Sequence, residues 1–250
     1  ILFPLAYRSM WRGRHLLVEH WLIVLVLAVS GVTLFNSLVY LGLQTTTAIN
    51  ASLMQSVNPV FIILLSMLLL GNRPRARQWL GMLVSMAGAV VILTRGDVVV
   101  LRELKFASGD LFVLLAVFLW GLYTVLLKKV PADLRGMPLL GYTVTLGTIL
   151  ILPFYLHETL SGRPLVITSA SVASILYVAI FPSVLAYFFW NHATERIGPE
   201  RTGQFSHLIP VFGILIATLV LGESLQAYHL AGILLVSAGL LLANFRAPDN

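Results

Sequence analysis

The chain contains no cysteine and only ten acidic residues. The first absence excludes disulfides and thiolate metal sites, although it says little about compartment for a protein that lives in a bilayer. The second leaves few carboxylates, and every one of them falls in a predicted loop or at a predicted span end. No GxxxxGK[ST] run occurs either, which argues against ATP-driven transport by this chain alone. From Trp21 to Asn72 there is no Asp, Glu, Lys or Arg at all. Those 52 residues are enough to cross a hydrocarbon core of roughly 30 Å twice.

What fills the chain is apolar: 58% hydrophobic and 10% charged residues, with a mean hydropathy of +0.93. This composition belongs to a chain whose solvent is mostly lipid. Further charge-free windows at 78–94, 111–127, 136–156, 164–194, 202–222 and 224–245 each suit one span. Eight full spans are predicted at about 20–42, 46–70, 77–95, 108–128, 137–156, 170–193, 201–221 and 225–245. The opening ILFPLAYRSMWRGRH reads as the last turns of a span followed by a basic loop, so a preceding span is expected upstream. Its apolar part precedes its positive part, the wrong order for a signal peptide.

The stretch from Pro59 to Leu93 recurs as Pro210 to Asn244, at an offset of 151 residues and without a gap. Thirteen of the 35 positions are identical, including Pro59/Pro210, Gly71/Gly222, Gly81/Gly232 and Gly88/Gly239, so the chain is a duplication. The copies differ in their links: Arg73, Arg75 and Arg77 follow the first apolar run, whereas GESLQAY follows the second. Basic links sit in the cytoplasm, so the copies have opposite orientation, as in transporters built from inverted repeats.

Assigning loops alternately gives the same answer. One side collects twelve Lys and Arg residues: Arg8, Arg12, Arg14, Arg73, Arg75, Arg77, Lys128, Lys129, Arg135, Arg196, Arg201 and Arg246. The other holds four: Arg95, Arg102, Lys105 and Arg163. The first set is expected in the cytoplasm together with the C-terminus. The net charge of +6 is thus a matter of topology, and no basic patch interleaved with exposed aromatics points to nucleic acid. The mixed-charge link from Gly96 to Asp110 joins the halves on the outer face. The expected organisation is a truncated N-terminal repeat over 1–95, a link over 96–107 and a C-terminal repeat over 108–246.

Two stretches carry a family resemblance: YFFWNHATERIGPERTGQFSHLIPVFGILIATLVLGES with LAGILLVSAGLLL behind it, and NSLVYLGLQTTTAINASLMQSVNPVF in the first half. They resemble the EamA-like branch of the drug/metabolite transporter superfamily, over essentially the whole chain. That family often has Gly-Glu at the end of the matched span in both copies, whereas the first copy here has Gly71-Asn72. The resemblance implies an all-α polytopic membrane protein of the inner membrane. It also implies two inverted five-helix repeats, ten helices in all, with both termini cytoplasmic and a central cavity opening alternately to either side. By that count the chain as given lacks the first helix and most of the second.

Intramembrane polar residues are the candidates for such a cavity. Asn36 and Tyr40 share a helix face, and their repeat mates are Tyr187 and Asn191, the same residue types in swapped order. Asn50, Gln55 and Asn58 precede Pro59, and Gln204 and His207 precede Pro210. Each proline removes a helix hydrogen bond and frees a carbonyl, so both are expected to kink their spans. Trp120, Tyr123 and Trp190 add aromatic faces that suit an apolar or cationic substrate. Gly81, Ser85, Gly88, Gly232 and Gly239 suit close helix packing. No metal or cofactor is assigned. His207 is the best intramembrane titratable group, which leaves proton coupling through it and uncoupled facilitation both open.

The function expected is secondary transport or export of small polar or amphipathic metabolites, amino-acid-like or drug-like, by alternating access. The partners are then a small-molecule substrate and the lipid bilayer; oligomeric state is not legible. The alternatives are an integral-membrane enzyme acting on a lipid-linked substrate, for which His157-Glu158 and His192 to Glu195 are the only candidates, and a non-transporting membrane scaffold.

Overall fold

A computed structural model of the chain describes residues 2–162 and 165–244; Arg163 and Arg246, both counted in the charge comparison, lie outside the described residues. Among the described residues all regular structure is helical. A first helix, α1 (Leu2–Arg12), precedes eight helices long and apolar enough to span a membrane. These are α2 (Trp21–Leu43), α3 (Ala48–Leu70), α4 (Ala76–Leu93), α5 (Ser108–Lys129), α6 (Met137–Leu160), α7 (Ser169–Ile197), α8 (Pro199–Leu221) and α9 (Ala227–Asn244). Their bounds fall within four residues of those predicted from charge-free windows.

The duplication is visible in how the helices end and break. α3 and α8 both stop at a glycine in the left-handed region, Gly71 at φ 69° and Gly222 at φ 70°. That conformation closes a helix at little steric cost only when Cβ is absent. Both helices are also interrupted ahead of their prolines, α3 at Ser56–Val57 and α8 in a 3₁₀ turn over Phe205–His207. α2 and α7 each carry a π-helical segment, at Ala28–Leu34 and Ala179–Leu185, which are repeat mates throughout. Pro182 sits in the second, and its mate is Gly31 in the first. A widened turn tolerates the missing proline N–H and leaves carbonyls open for other partners.

The halves meet along a pseudo-twofold axis. α4 and α9 cross with glycine facing glycine: a Cβ on Gly81 would lie 2.5 Å from the Gly239 carbonyl oxygen, and one on Gly88 would lie 2.7 Å from the Val236 nitrogen. As α4 advances from Gly81 to Gly88, its neighbours retreat from Ala243 to Gly232, so the mates run antiparallel and the repeats are inverted. Without a hydrophobic drive between helices in lipid, this backbone approach is what supplies packing energy.

Two further mate pairs touch directly. Asn36 Nδ2 donates to Tyr187 Oη at 3.2 Å, and His207 Nε2 lies 2.9 Å from the Ser56 carbonyl oxygen. Both contacts join residues 151 apart, the repeat offset itself.

At one end of the bundle, which carries the basic loops, Ser66 and Asn72 donate to the Glu200 carboxylate, tying the end of α3 to the start of α8. Lys128 Nζ donates to the Glu195 carbonyl oxygen at 3.0 Å, and Arg135 pairs with Glu195 at 3.8 Å. At the other end Asp110 lies at a span end, as predicted, and is nevertheless buried. It is 1% exposed in the first turn of α5 and accepts hydrogen bonds from Thr46 Oγ1, Asn50 Nδ2 (3.1 Å) and Ala107 N (2.8 Å). It caps its own helix and fixes the α2–α3 turn to it.

The crossing predicts a sharp contrast between glycines. Gly239→Ala pushes a methyl into the Ser85 and Gly81 backbones and should cost about 1–3 kcal/mol, read as a lowered midpoint of thermal unfolding in detergent. Gly213→Ala, with open space around its Cβ, should leave that midpoint unchanged or slightly raised.

Candidate functional site

A cavity of about 600 Å³ lies between the halves. Its wall takes Phe35 and Asn36 from α2, Ser52, Gln55, Ser56 and Asn58 from α3, and Val117 and Trp120 from α5. Pro182, Ala186, Tyr187 and Trp190 come from α7, and Ser206, Ile209, Pro210 and Gly213 from α8, with Leu93 at the end of α4. These positions lie at mid-span or toward the end carrying the Gly96–Asp110 link. At the opposite end Glu200 ties the two halves together through Ser66 and Asn72. Among the described residues, no Asp, Glu, Lys, Arg or His lines the wall.

Of the twelve side chains expected here, Asn36, Gln55, Asn58, Trp120, Tyr187 and Trp190 are lining residues, together with Pro210. The other six are placed elsewhere, for identifiable reasons. Tyr40 is 59% exposed, one turn beyond Asn36 and past the cavity rim. Asn50 is committed to Asp110 and to the Lys105 carbonyl oxygen. Tyr123 and Asn191 bond each other, hydroxyl to Oδ1 at 2.7 Å, in a buried layer beneath the wall. Gln204 is buried with its Oε1 unpaired among the described residues. His207 is 1% exposed, between the Ser56 carbonyl oxygen and the Ser85 hydroxyl, 2.7 Å from its Nδ1. Pro59 is buried in the first turn after the α3 break, while Pro210 faces the cavity.

The polar groups of the wall are set by the helix irregularities. The π segment of α2 frees the Gly31 carbonyl oxygen, and Tyr187 donates to it at 2.5 Å while accepting from Asn36. Gly31 is required there, because a Cβ would lie 2.2 Å from the Tyr123 ring. Trp190 Nε1 donates to Thr124 Oγ1 at 3.0 Å, so its polar tip is satisfied within the protein. Trp120 stands at the centre of an aromatic group, with ring centroids 4.6 Å from Phe35, 5.2 Å from Tyr187 and 5.4 Å from Trp190.

Sequence reasoning missed Ser52, Ser56, Ser206, Phe35 and Pro182. Ser56 had a signal, as the repeat mate of His207. Pro182 had one too, as a proline inside an unbroken apolar window.

With this geometry in hand, the chain can be set beside known proteins. The model of the EamA-like transporter family matches residues 1–94 and 107–245. A transporter of Archaeoglobus fulgidus, named as uncharacterized, is 32% identical over 90% of this chain and 76% of its own. A probable terminal-alkyne amino-acid exporter of Streptantibioticus cattleyicolor is 27% identical over 87% of this chain and 71% of its own. A solved crystal structure has the same fold, with a TM-score of 0.70 at 19% identity, covering 96% of this chain and 83% of that one. The chain therefore belongs to the EamA-like transporter family of the drug/metabolite transporter superfamily, a family of multi-pass membrane transporters and not of enzymes.

Proposed function

We propose that the protein is a secondary exporter of small amphipathic metabolites, amino-acid-like or drug-like, working by alternating access between repeats at 1–95 and 108–246 joined by the 96–107 link. The observation that carries this reading is the cavity itself. It lies where two broken helices from opposite halves meet, both halves contribute to its wall, and the halves are hydrogen-bonded to each other at the basic end. Irregular backbone at membrane depth is stable only where protein or a water-filled cavity satisfies it. The Asn36–Tyr187 contact joins repeat mates, so exchanging the conformations of the two halves preserves it while the end contacts break and reform. A relative named as an amino-acid exporter supports the direction and the size class.

The cytoplasm is proposed on the side of the basic loops, with the C-terminus there and the protein in the inner membrane. The excess of Lys and Arg on that side supports this orientation. His207 supplies a candidate for proton coupling. Its Nε2–H donates to the Ser56 carbonyl, and its Nδ1 accepts from the Ser85 hydroxyl. The same hydroxyl lies 3.0 Å from the Met82 carbonyl oxygen, so a rotation of Ser85 lets it accept from a doubly protonated imidazole. Both protonation states are then fully hydrogen-bonded.

Flux of a mixed amino-acid panel in proteoliposomes tests the carrier reading. Tyr187→Phe removes a buried hydrogen-bond donor worth about 1 kcal/mol and should reduce flux about fivefold at unchanged folded yield. Absence of flux from a folded chain over a broad metabolite panel would return the scaffold reading. In the same vesicles His207→Gln should abolish acceleration by an imposed pH gradient but keep downhill flux; an unchanged response rules out coupling through this residue. The absence of cysteine makes orientation directly measurable. Arg102→Cys should react with an impermeant maleimide added to intact cells, and Arg75→Cys only after the membrane is opened.

A further inference from the structure

The two copies part at one matched position: Gly222 is followed by Glu223, whereas its mate Gly71 is followed by Asn72. Asn72 Nδ2 donates to the Glu200 carboxylate and to Ser66 Oγ, 3.0 Å away. Ser66, which is fully buried, donates to the same carboxylate. A carboxylate only accepts, so Glu200 needs a donor at both places. A glutamate at position 72 would set two carboxylates against each other.

The repeat mates of Ser66, Asn72 and Glu200 are Ala217, Glu223 and Ile49. Inversion carries the contact between the end of α3 and the start of α8 onto the end of α8 and the start of α3. The mates cannot reproduce it there, because Ala217 has no hydroxyl, Glu223 no amide and Ile49 no acceptor. In this structure that contact is unmade. Ala217 and Glu223 line a pocket of about 250 Å³ together with Arg95, Tyr228 and His229, and no described residue of α3 lines it. Ile49 is 44% exposed. The Asn50–Asp110 hydrogen bond at that end joins α3 to α5 and not to α8.

We propose that Glu200, Asn72 and Ser66 are gate residues that act at one end only and set the resting direction of the carrier. They hold α3 to α8 at the basic end, and nothing equivalent holds α8 to α3 at the other. The inference rests on the carrier reading and adds its resting state and the residues that determine it. A hydrogen bond to a charged group moves an equilibrium about tenfold. The opposite state gains no such bond: it brings Ile49 against Ala217 and Glu223, an apolar side chain toward a carboxylate. Without substrate the chain therefore rests with α3 and α8 joined at the basic end. Only a ligand that binds the other state more tightly moves it from there.

Spin labels on Arg73→Cys and Arg196→Cys, on opposite halves at the basic end, test this by pulsed distance measurement in lipid nanodiscs without substrate. The short distance should dominate in the otherwise unaltered chain. Glu200→Ile, which places the mate's side chain there, and Asn72→Glu should each raise the ratio of long to short distances about tenfold. Glu200→Gln, which keeps the shape and an acceptor but not the charge, should raise it less. The decisive variant copies the contact to the other end: Ile49→Glu, Ala217→Ser and Glu223→Asn combined should also raise the ratio about tenfold, with Glu200 intact. A purely structural role for Glu200 would not produce that last shift. A ratio unmoved by both Glu200→Ile and Asn72→Glu, or by the combined variant at undiminished folded yield, would overturn the assignment. Flux is measured separately. Ratios that shift as expected in a chain that moves no metabolite would sink the carrier reading and leave this one standing, whereas flux with ratios indifferent to every variant would do the reverse.

Discussion

A backbone carbonyl that loses its helical partner inside a bilayer has to find another, because no water is there to take its place. Pro59 lacks an N–H, and Val60 N turns to the Val57 carbonyl oxygen, so the Ser56 carbonyl is left open in the middle of α3. His207 fills that vacancy from the mate helix, at its own break. The break, the cavity beside it and the meeting of the two halves all depend on this exchange. Replace the prolines by ordinary helix formers and the two spans have no reason to open toward each other.

The same logic runs through α2 and α7. Their π segments occupy mate positions, the first ending just before the lining residues Phe35 and Asn36 and the second just before Ala186 and Tyr187. Tyr187 then links the two segments by donating to the Gly31 carbonyl oxygen and accepting from Asn36. On the far side of the bundle, the α4–α9 glycine crossing brings two mates into backbone contact. A close-fitting crossing suits a pivot, since interdigitated helices move as one body. The contacts at the ends are of another kind. Glu200 with Ser66 and Asn72 is a small polar cluster at the basic end, where water can replace each hydrogen bond as it opens.

Much of the architecture was legible because a bilayer restricts the options. Charge-free windows of about 20 residues have few fates other than a span, and the 151-residue offset together with the difference between the two links gave duplication and inversion. The candidate site was legible where polar side chains sat at mid-span depth in matched helices, as at Asn36, Tyr187, Gln55 and Asn58, and where aromatic residues shared that depth, as at Trp120 and Trp190. Tyr40 and Asn191 show the limit. They match in sequence, but their surroundings differ, since Asn191 meets Tyr123 of α5 and no described residue does the same for Tyr40. Asn50 and Asp110 show another limit. A polar residue near a span end serves a helix cap as readily as a cavity, and hydropathy does not separate the two. The π segments left no mark beyond Pro182, because a widened turn changes hydrogen bonding and not composition.

Alternating access requires the basic end to open while the protein works. A disulfide across that end measures it most directly, in a chain with no other cysteine. With Asn72→Cys and Glu200→Cys combined in proteoliposomes, oxidation should stop flux and reduction should restore it, relative to each single variant. Flux that continues undiminished with the cross-link fully formed would contradict alternating access through this end.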